Sequence, residues 1–224
     1  TDLGVPFQHN DRTYILFGDA WEPPDDPIAF TTDTKPEDGL ELEFLQNEDG
    51  RYRPVTIPGI RLDAFEVPTE GTSIDGKMYL YAATDHSAQA IMGRSVVAVS
   101  EDDGTTFSYL YDLSTRHFIN VSIVETDVAG MSGYPESEEL GLVMFGSGTY
   151  RESNVYLAFQ PANTIESPDS IRYFTGLDGQ GQPTWGEQET EAEALFDQPC
   201  VGEFSVTYNP FIERWIMLYN CVFE

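Results

Sequence analysis

Lysine is nearly missing from this chain: Lys35 and Lys77 are the only two in 224 residues. Arginine raises the basic count to 11, against 39 acidic residues, for a formal net charge of −28. Nucleic acids and anionic lipid surfaces are bound through phosphate neutralisation by Lys and Arg, so the charge argues strongly against both as partners. Such a charge instead suits a solvated surface that keeps a secreted or salt-adapted protein soluble. Cysteine is scarce too, with only Cys200 and Cys221. No His/Cys cluster has zinc spacing, and nothing resembles a nucleophile elbow, a P-loop or a dinucleotide fingerprint. No redox cofactor is therefore implied, and a structural cation in an acidic channel, the alternative use of this charge, has no motif. No run approaches the roughly 18 apolar residues that cross a bilayer, so membrane insertion is not expected. The chain starts at Thr1 without an initiator methionine or a signal peptide, and is expected to be processed or truncated.

Helical periodicity is almost absent, whereas 40% hydrophobic and 13% aromatic content marks a folded globular chain. What remains is a series of short β-branched and aromatic runs separated by Gly, Pro, Asn and Asp: TYILFG, KMYLYAA, RSVVAVS, HFINVSIVE, GLVMFGS, NVYLAF, IRYFTG, EFSVTYN and RWIMLYN. These predict an all-β protein. QETEAEALF (188–196) fits a helix or a loop equally well. Strongly apolar second strands begin near Tyr14, Tyr79, Leu142 and Trp215, an interval of about 60–75 residues that suggests four-stranded β-propeller blades. SEDDGTTF (100–107) matches the Asp-box pattern S-x-D-x-G-x-T-[WF]. Its place is the turn between the two outer strands of a blade, and TTDTKPEDGLELEF (31–44) reads as a longer, degenerate counterpart. At about 67 residues per unit, the chain is a single propeller domain over 1–224 with three to four blades. It is therefore expected to be truncated or incomplete, because a closed ring needs four to eight.

The segment between the cysteines reads as a hairpin turning near Asn209–Pro210–Phe211. Its two thiols lie about equally far from the tip, as a disulfide in an oxidising compartment requires; two buried free thiols are the alternative. In a propeller the innermost strand of each blade lines the central channel. The residues at the starts of those strands read Asp2, then Glu66 or Glu70, then Asn120, then Glu203. Taking Asn10–Asp11 as a two-residue turn makes opposed positions in the first hairpin sum to 21. Phe7 then faces Tyr14, Val5 faces Leu16, and Asp2 faces Asp19. Two carboxylates so placed, with Cβ atoms roughly 4.5–5.5 Å apart, repel, and one retains its proton to higher pH. That supplies an acid beside a base, as glycosidic cleavage requires, and such closeness favours a retaining mechanism. A bulge or a longer turn would leave both as solvated strand ends. With Asp75–Gly76 as the second tip, Glu66 falls opposite Asp85, and His86 adjoins the pair as a substrate-binding candidate. His9 at a turn tip and His117 beside an apolar strand read as structural. Trp21, Tyr134, Tyr150 and Trp185 stand near strand ends, as sugar-stacking platforms or as core.

TDLGVPFQHNDRTYILFGDAW, IAFTTDTKPEDGLELEFL and GEFSVTYNPFIERWIMLYN together resemble the domain of unknown function 4185 family, which is linked to endo-D-arabinanases of glycoside hydrolase family 183. The resemblance covers most of the chain, with the T-D-L-G…F-G-D opening its most specific part. It implies a five-bladed β-propeller, an exported bacterial protein and action on D-arabinan of mycobacterial-type cell walls. It also implies that acidic residues of a central pocket do the chemistry, Asp2 and Asp19 occupying the T-D-L-G and F-G-D positions. The expected activity is hydrolysis of a furanose-rich polysaccharide. Asp2 serves as nucleophile or base, Asp19 as its partner, and Glu203 or Glu70 as a further acid; Glu66, Asp85, His86, Asn120 and Trp21 contact substrate. The alternative is a non-catalytic carbohydrate-binding propeller module.

Overall fold

The computed structural model describes residues 3–20, 26–63, 65–88, 91–128, 133–135 and 140–221. Among them the regular structure is strand, apart from four single 3₁₀ turns. Among the described residues no helix is long and apolar enough to cross a membrane. Two compact units are distinguished: Thr1–Gln89 with Val96–Asp112, and Ala90–Ser95 with Leu113–Glu224.

In the first unit, β1 (Leu3–His9), β2 (Arg12–Gly18), β3 (Ile28–Thr31) and β4 (Glu43–Phe44) form an antiparallel meander in chain order. Alternation explains the hairpin: Phe7 and His9 on β1, with Tyr14, Leu16 and Gly18 on β2, are buried while their neighbours face out. β5 (Pro68–Ile74), β6 (Lys77–Thr84), β7 (Arg94–Ser100) and β8 (Ser108–Ser114) repeat the meander. These two sheets have the four-stranded order expected of propeller blades. β6 is buried along nearly its whole length, so its sequence reads as a continuous apolar run rather than an alternating one. Phe7, Tyr14, Leu16, Ile28, Met78, Leu80, Val96 and Phe107 make one core. β1 packs along β5 at Gly71, where a Cβ would stand 2.6 Å from the Phe7 ring.

SEDDGTTF links β7 to β8, as the pattern predicts. Asp102 accepts hydrogen bonds from the Thr106 N–H (2.8 Å), the Thr106 hydroxyl (2.7 Å) and the Ser100 hydroxyl (2.8 Å). Partial burial pulls its carboxyl upward, but these donors outweigh it and hold the group below the ordinary range. Residues 32–42 join β3 to β4, the place expected for the degenerate counterpart.

In the second unit the third sheet is larger than four strands. β9 (Asn120–Asp127), β10 (Leu140–Ser147), β11 (Ser153–Pro161), β12 (Arg172–Leu177) and β13 (Pro183–Gly186) run in meander order. β14 (Ala194–Val201) also pairs β11. β11 accommodates both because Ala158 and Phe159 pair with β12, whereas Ser153, Val155 and Tyr156 pair with β14. The 188–196 stretch is therefore no helix: a 3₁₀ turn at Glu189–Glu191 runs into β14. β15 (Phe204–Asn209) and β16 (Arg214–Tyr219) form a two-stranded sheet, and β15 packs along β9. Val143, Phe145, Val155, Phe159, Val201 and Val206 centre this unit's core. Tyr134 and Trp185 pack against it, and the Trp185 indole N–H donates to the Gly133 carbonyl. Both rings are partly buried against this core. Cys200 and Cys221 are joined in a disulfide, with Cα atoms 5.0 Å apart.

Candidate functional site

The first hairpin turns at Asn10 and Asp11, with φ of +47° and +61°. Successive left-handed residues make a two-residue turn whose twist matches that of the strands. The register follows: Gln8 pairs Thr13, Phe7 pairs Tyr14, Val5 pairs Leu16, and the ladder runs to Leu3–Gly18. That is the step before the predicted Asp2–Asp19 pair. Asp19 itself has a φ of +51°, so β2 ends at Gly18 and the carboxylate is carried on a left-handed residue rather than an extended one. Asp2 and Trp21 lie outside the described residues.

The second hairpin departs from its predicted register. Ile74–Lys77 through Glu70–Tyr81 follow the Asp75–Gly76 turn, but Pro68 pairs Ala82, so one extra residue, Thr69, is inserted in β5. Beyond this bulge the Ala83 N–H donates to the Val67 carbonyl at 3.0 Å. The ladder has slipped by one, and Glu66 does not oppose Asp85. The cause is local: β5 must bend where it carries Pro68, which cannot donate a ladder hydrogen bond.

Glu66, 2% exposed, finds other partners. Its Oε1 accepts the His86 backbone N–H at 2.9 Å and an Nη2 hydrogen bond from Arg61. Arg61 Nη2 also donates to the His86 carbonyl at 2.5 Å, and the Thr84 hydroxyl donates to the Arg61 carbonyl at 2.6 Å. The His86 N–H and the His86 carbonyl are thus each held by one member of the Arg61–Glu66 ion pair. Burial pushes the Glu66 carboxyl up, with Asp63 adding to it and Arg61 opposing. Burial pushes the His86 imidazole down, as does the Arg61 charge, against a smaller opposite effect of Asp85. Among the described residues, neither ring nitrogen of His86 has a hydrogen-bond partner. Glu70 is buried in β5, where its Oε1 accepts the Gly71 N–H at 3.0 Å.

In the second unit the strand-start residues gather polar partners in the same way. Asn120 opens β9 and pairs Ser147 at the end of β10, its amide reaching the Ser147 hydroxyl at 3.5 Å. The Ser147 hydroxyl donates to the Gly202 carbonyl at 3.2 Å, so Asn120 and the chain just before Glu203 belong to one network. Glu203 stands one residue before β15. The β15–β16 register of Phe204–Tyr219 puts Asn220 directly opposite it, and the Asn220 amide donates to Glu203 Oε2. The Tyr150 hydroxyl donates to the same oxygen at 3.0 Å. Burial raises the Tyr150 phenol, and the Glu203 carboxylate raises it further. Tyr150 is therefore a polar partner of Glu203.

Asp19, Glu66, Glu70, Asp85 and His86 thus belong to the first unit, and Asn120 and Glu203 to the second. Sequence reasoning missed Arg61, Ser147 and Asn220. Asn220 was within reach: counting from a four-residue turn at 210–213 places it opposite Glu203. Among the described residues no group of three His, Cys, Asp or Glu side chains could hold a metal ion.

No curated protein matches the chain. Among solved structures it is similar to a Bacteroides ovatus protein assigned as a hydrolase, at 13% identity and a TM-score of 0.49, over 92% of this chain and 60% of that one. It is also similar to a β-xylosidase, RS223, at 14% identity and a TM-score of 0.48, over 95% and 83% of the two chains. A third is a Bacillus subtilis arabinanase, at 10% identity and a TM-score of 0.40, over 98% and 95%. The sequence model of one family, a domain of unknown function designated DUF4185, matches residues 1–224, and the chain belongs to that family.

Proposed function

We propose that this protein is a glycosidase acting on a furanose-rich polysaccharide, D-arabinan of bacterial cell walls, in the manner of the endo-D-arabinanases of glycoside hydrolase family 183. Its fold is a single five-bladed propeller domain of which residues 1–224 supply three to four blades. Asp2 is the nucleophile or base, Asp19 its partner, and Glu203 or Glu70 the further acid. The observation that carries the reading is the repeated polar dressing of strand starts. Glu203 at β15 is held by Asn220 and Tyr150, Asn120 at β9 by Ser147, and Glu66 before β5 by Arg61 and the His86 peptide. Glycosidic cleavage needs two carboxyl groups in different protonation states, and the strand starts are where this chain gathers its carboxyl groups.

The Cys200–Cys221 bridge supports a place outside the cytoplasm, where disulfides persist. Release of reducing ends from D-arabinan tests the assignment. Asp2→Asn and Glu203→Gln are each expected to lower the rate by about 10²–10⁴-fold with the fold retained. Undiminished cleavage in both variants sinks it. Arabinan binding without any cleavage by the unaltered protein puts the carbohydrate-binding module in its place.

A further inference from the structure

The sequence marks His9 only as a residue at a turn tip, yet its side chain is fully buried and both ring nitrogens are engaged. Nδ1 lies 2.7 Å from the Ser73 hydroxyl oxygen, and Nε2 lies 2.8 Å from Asp103 Oδ1. The three residues come from the end of β1, from β5 and from the Asp-box turn, separated by 64 and 94 positions in the sequence. All belong to the first unit.

The direction of these bonds follows from their chemistry. The His9 hydrogen bond is the largest influence holding the Asp103 carboxyl below its ordinary range, with the Asn10 amide adding a donor to the same oxygen at 3.0 Å. An ionised carboxylate only accepts, so Nε2 carries the proton and Nδ1 presents its lone pair to Ser73; the Asn10 amide nitrogen, 2.9 Å from Nε2, then donates to Asp103 rather than to the ring. The edge of Tyr14 packs on the ring, with centroids 5.7 Å apart, and fixes its plane. A hydroxyl, a base that accepts its proton, and a carboxylate that orients the base are the three parts of an acyl-transfer relay, recognised by geometry rather than by chain order. Ser73 is half-buried, not sealed, and stands two residues from the Asp75–Gly76 turn.

We infer that Ser73, His9 and Asp103 form a second hydrolytic site, separate from the carboxylates proposed to cleave polysaccharide, and that it takes small activated acyl esters. Ser73 Oγ bonds to the acyl carbon while its proton moves to His9 Nδ1. The bond from the acyl carbon to the leaving oxygen breaks, and that oxygen leaves with the proton. Water then attacks the acyl-serine and gives a proton to His9, which returns it to Ser73 Oγ as the acid departs. The sum is ester plus water to acid plus alcohol. General-base assistance of this kind contributes about 10²–10⁴-fold, which suits esters with a good leaving group.

The test is p-nitrophenyl acetate hydrolysis by the full chain, with fluorophosphonate labelling mapped by mass spectrometry. The expected result is turnover above buffer, label on Ser73, and loss of at least about 10²-fold in Ser73→Ala with an unchanged melting curve. Asp103→Asn, a change on an exposed turn, is expected to fall the same way and to lose labelling. Ser73→Ala hydrolysing at the unaltered rate overturns the inference, and so does an unlabelled Ser73 in the native protein. The labelling readout stands even if a variant fails to fold.

Discussion

Breaking the Cys200–Cys221 bridge is expected to loosen one hairpin and the carboxylate it carries. The two cysteines are 21 positions apart. Removing a cross-link that closes a loop of about 20 residues releases chain entropy worth about 3 kcal/mol in the unfolded state. The native side of the balance is weak here, because β15 and β16 pair only with each other among the described residues. An isolated two-stranded hairpin is marginal in water. Just inside the bridge, the Gly202 N–H donates to the Asn220 carbonyl and the Asn220 N–H to the Glu203 carbonyl, both at 3.0 Å. The loss therefore falls on Glu203 and its partner first. In urea, a Cys200→Ser/Cys221→Ser variant is expected to unfold with about 3 kcal/mol less stability, a midpoint shift of about 1 M for a slope near 3 kcal/mol per molar. Hydrogen exchange is expected to lose protection in β15 and β16 before any other strand pair. A double variant within about 0.5 kcal/mol of the native protein, with those amides still protected, refutes the reasoning.

Other expectations follow from burial and hydrogen bonding. Glu66 has a raised carboxyl pKa, so the folded state holds its proton more tightly than the unfolded state. Its contribution is complete below the unfolded-state value and is lost as pH rises through the folded-state value. The stability of the native protein relative to Glu66→Gln, from urea titrations between pH 4 and 8, should grow on acidification; the opposite slope contradicts the burial argument. Glu66→Ala instead leaves the His86 N–H without its acceptor, and should cost about 1–3 kcal/mol at any of these pH values. Asp102 has a lowered pKa, so its stabilising effect is present above the ordinary carboxylate range and disappears as pH falls through the folded-state value. Asp102→Ala should therefore cost about 1 kcal/mol at pH 7, discounted for exposure, and nothing measurable near pH 2. A Cβ on Gly146 would meet the Phe118 ring and the His117 carbonyl, so Gly146→Ala should lower stability by about 1–3 kcal/mol in thermal or urea unfolding.

The fold was legible where turn chemistry and side-chain period agree. Asn10 and Asp11 tolerate left-handed backbone, and two such residues in succession fix the hairpin register without tertiary information. The Asp-box was legible for a similar reason, since every bond of Asp102 stays within five residues of the 100–107 pattern. Register failed where a bulge intervenes. The extra residue at Thr69 moves Glu66 out of line with Asp85; Pro68 marks an irregular strand there, but the alternation of PTEGTSI does not carry the size of the slip. β14 was illegible because it joins β11 through two register shifts, leaving no period to read in ALFDQPCV. In the candidate site, the positions of Asn120 and Glu203 at strand starts were readable, whereas their partners come from strand ends and loops. Tyr150 and Ser147 are recruited by three-dimensional proximity across 53 and 27 positions, which leaves no trace in local spacing. The same holds for His9, whose partners Ser73 and Asp103 are remote in sequence.

The close approach of β1 to β5 at Gly71 has a further consequence. With no side chain at that position, the Phe7 ring sits where a methyl group would otherwise be. The distance between the two sheets is therefore set by the thickness of one aromatic ring, and not by a layer of interleaved side chains. Such a seam has a single ruler. Sequence drift elsewhere along β1 and β5 can be absorbed by side-chain repacking, but any larger residue at 71 wedges the sheets apart at mid-strand. The wedge would be felt at both ends of the seam, toward Glu70 on one side and the His9–Ser73 contact on the other. A position with no functional group of its own thus holds a veto over the alignment of both candidate sites in the first unit.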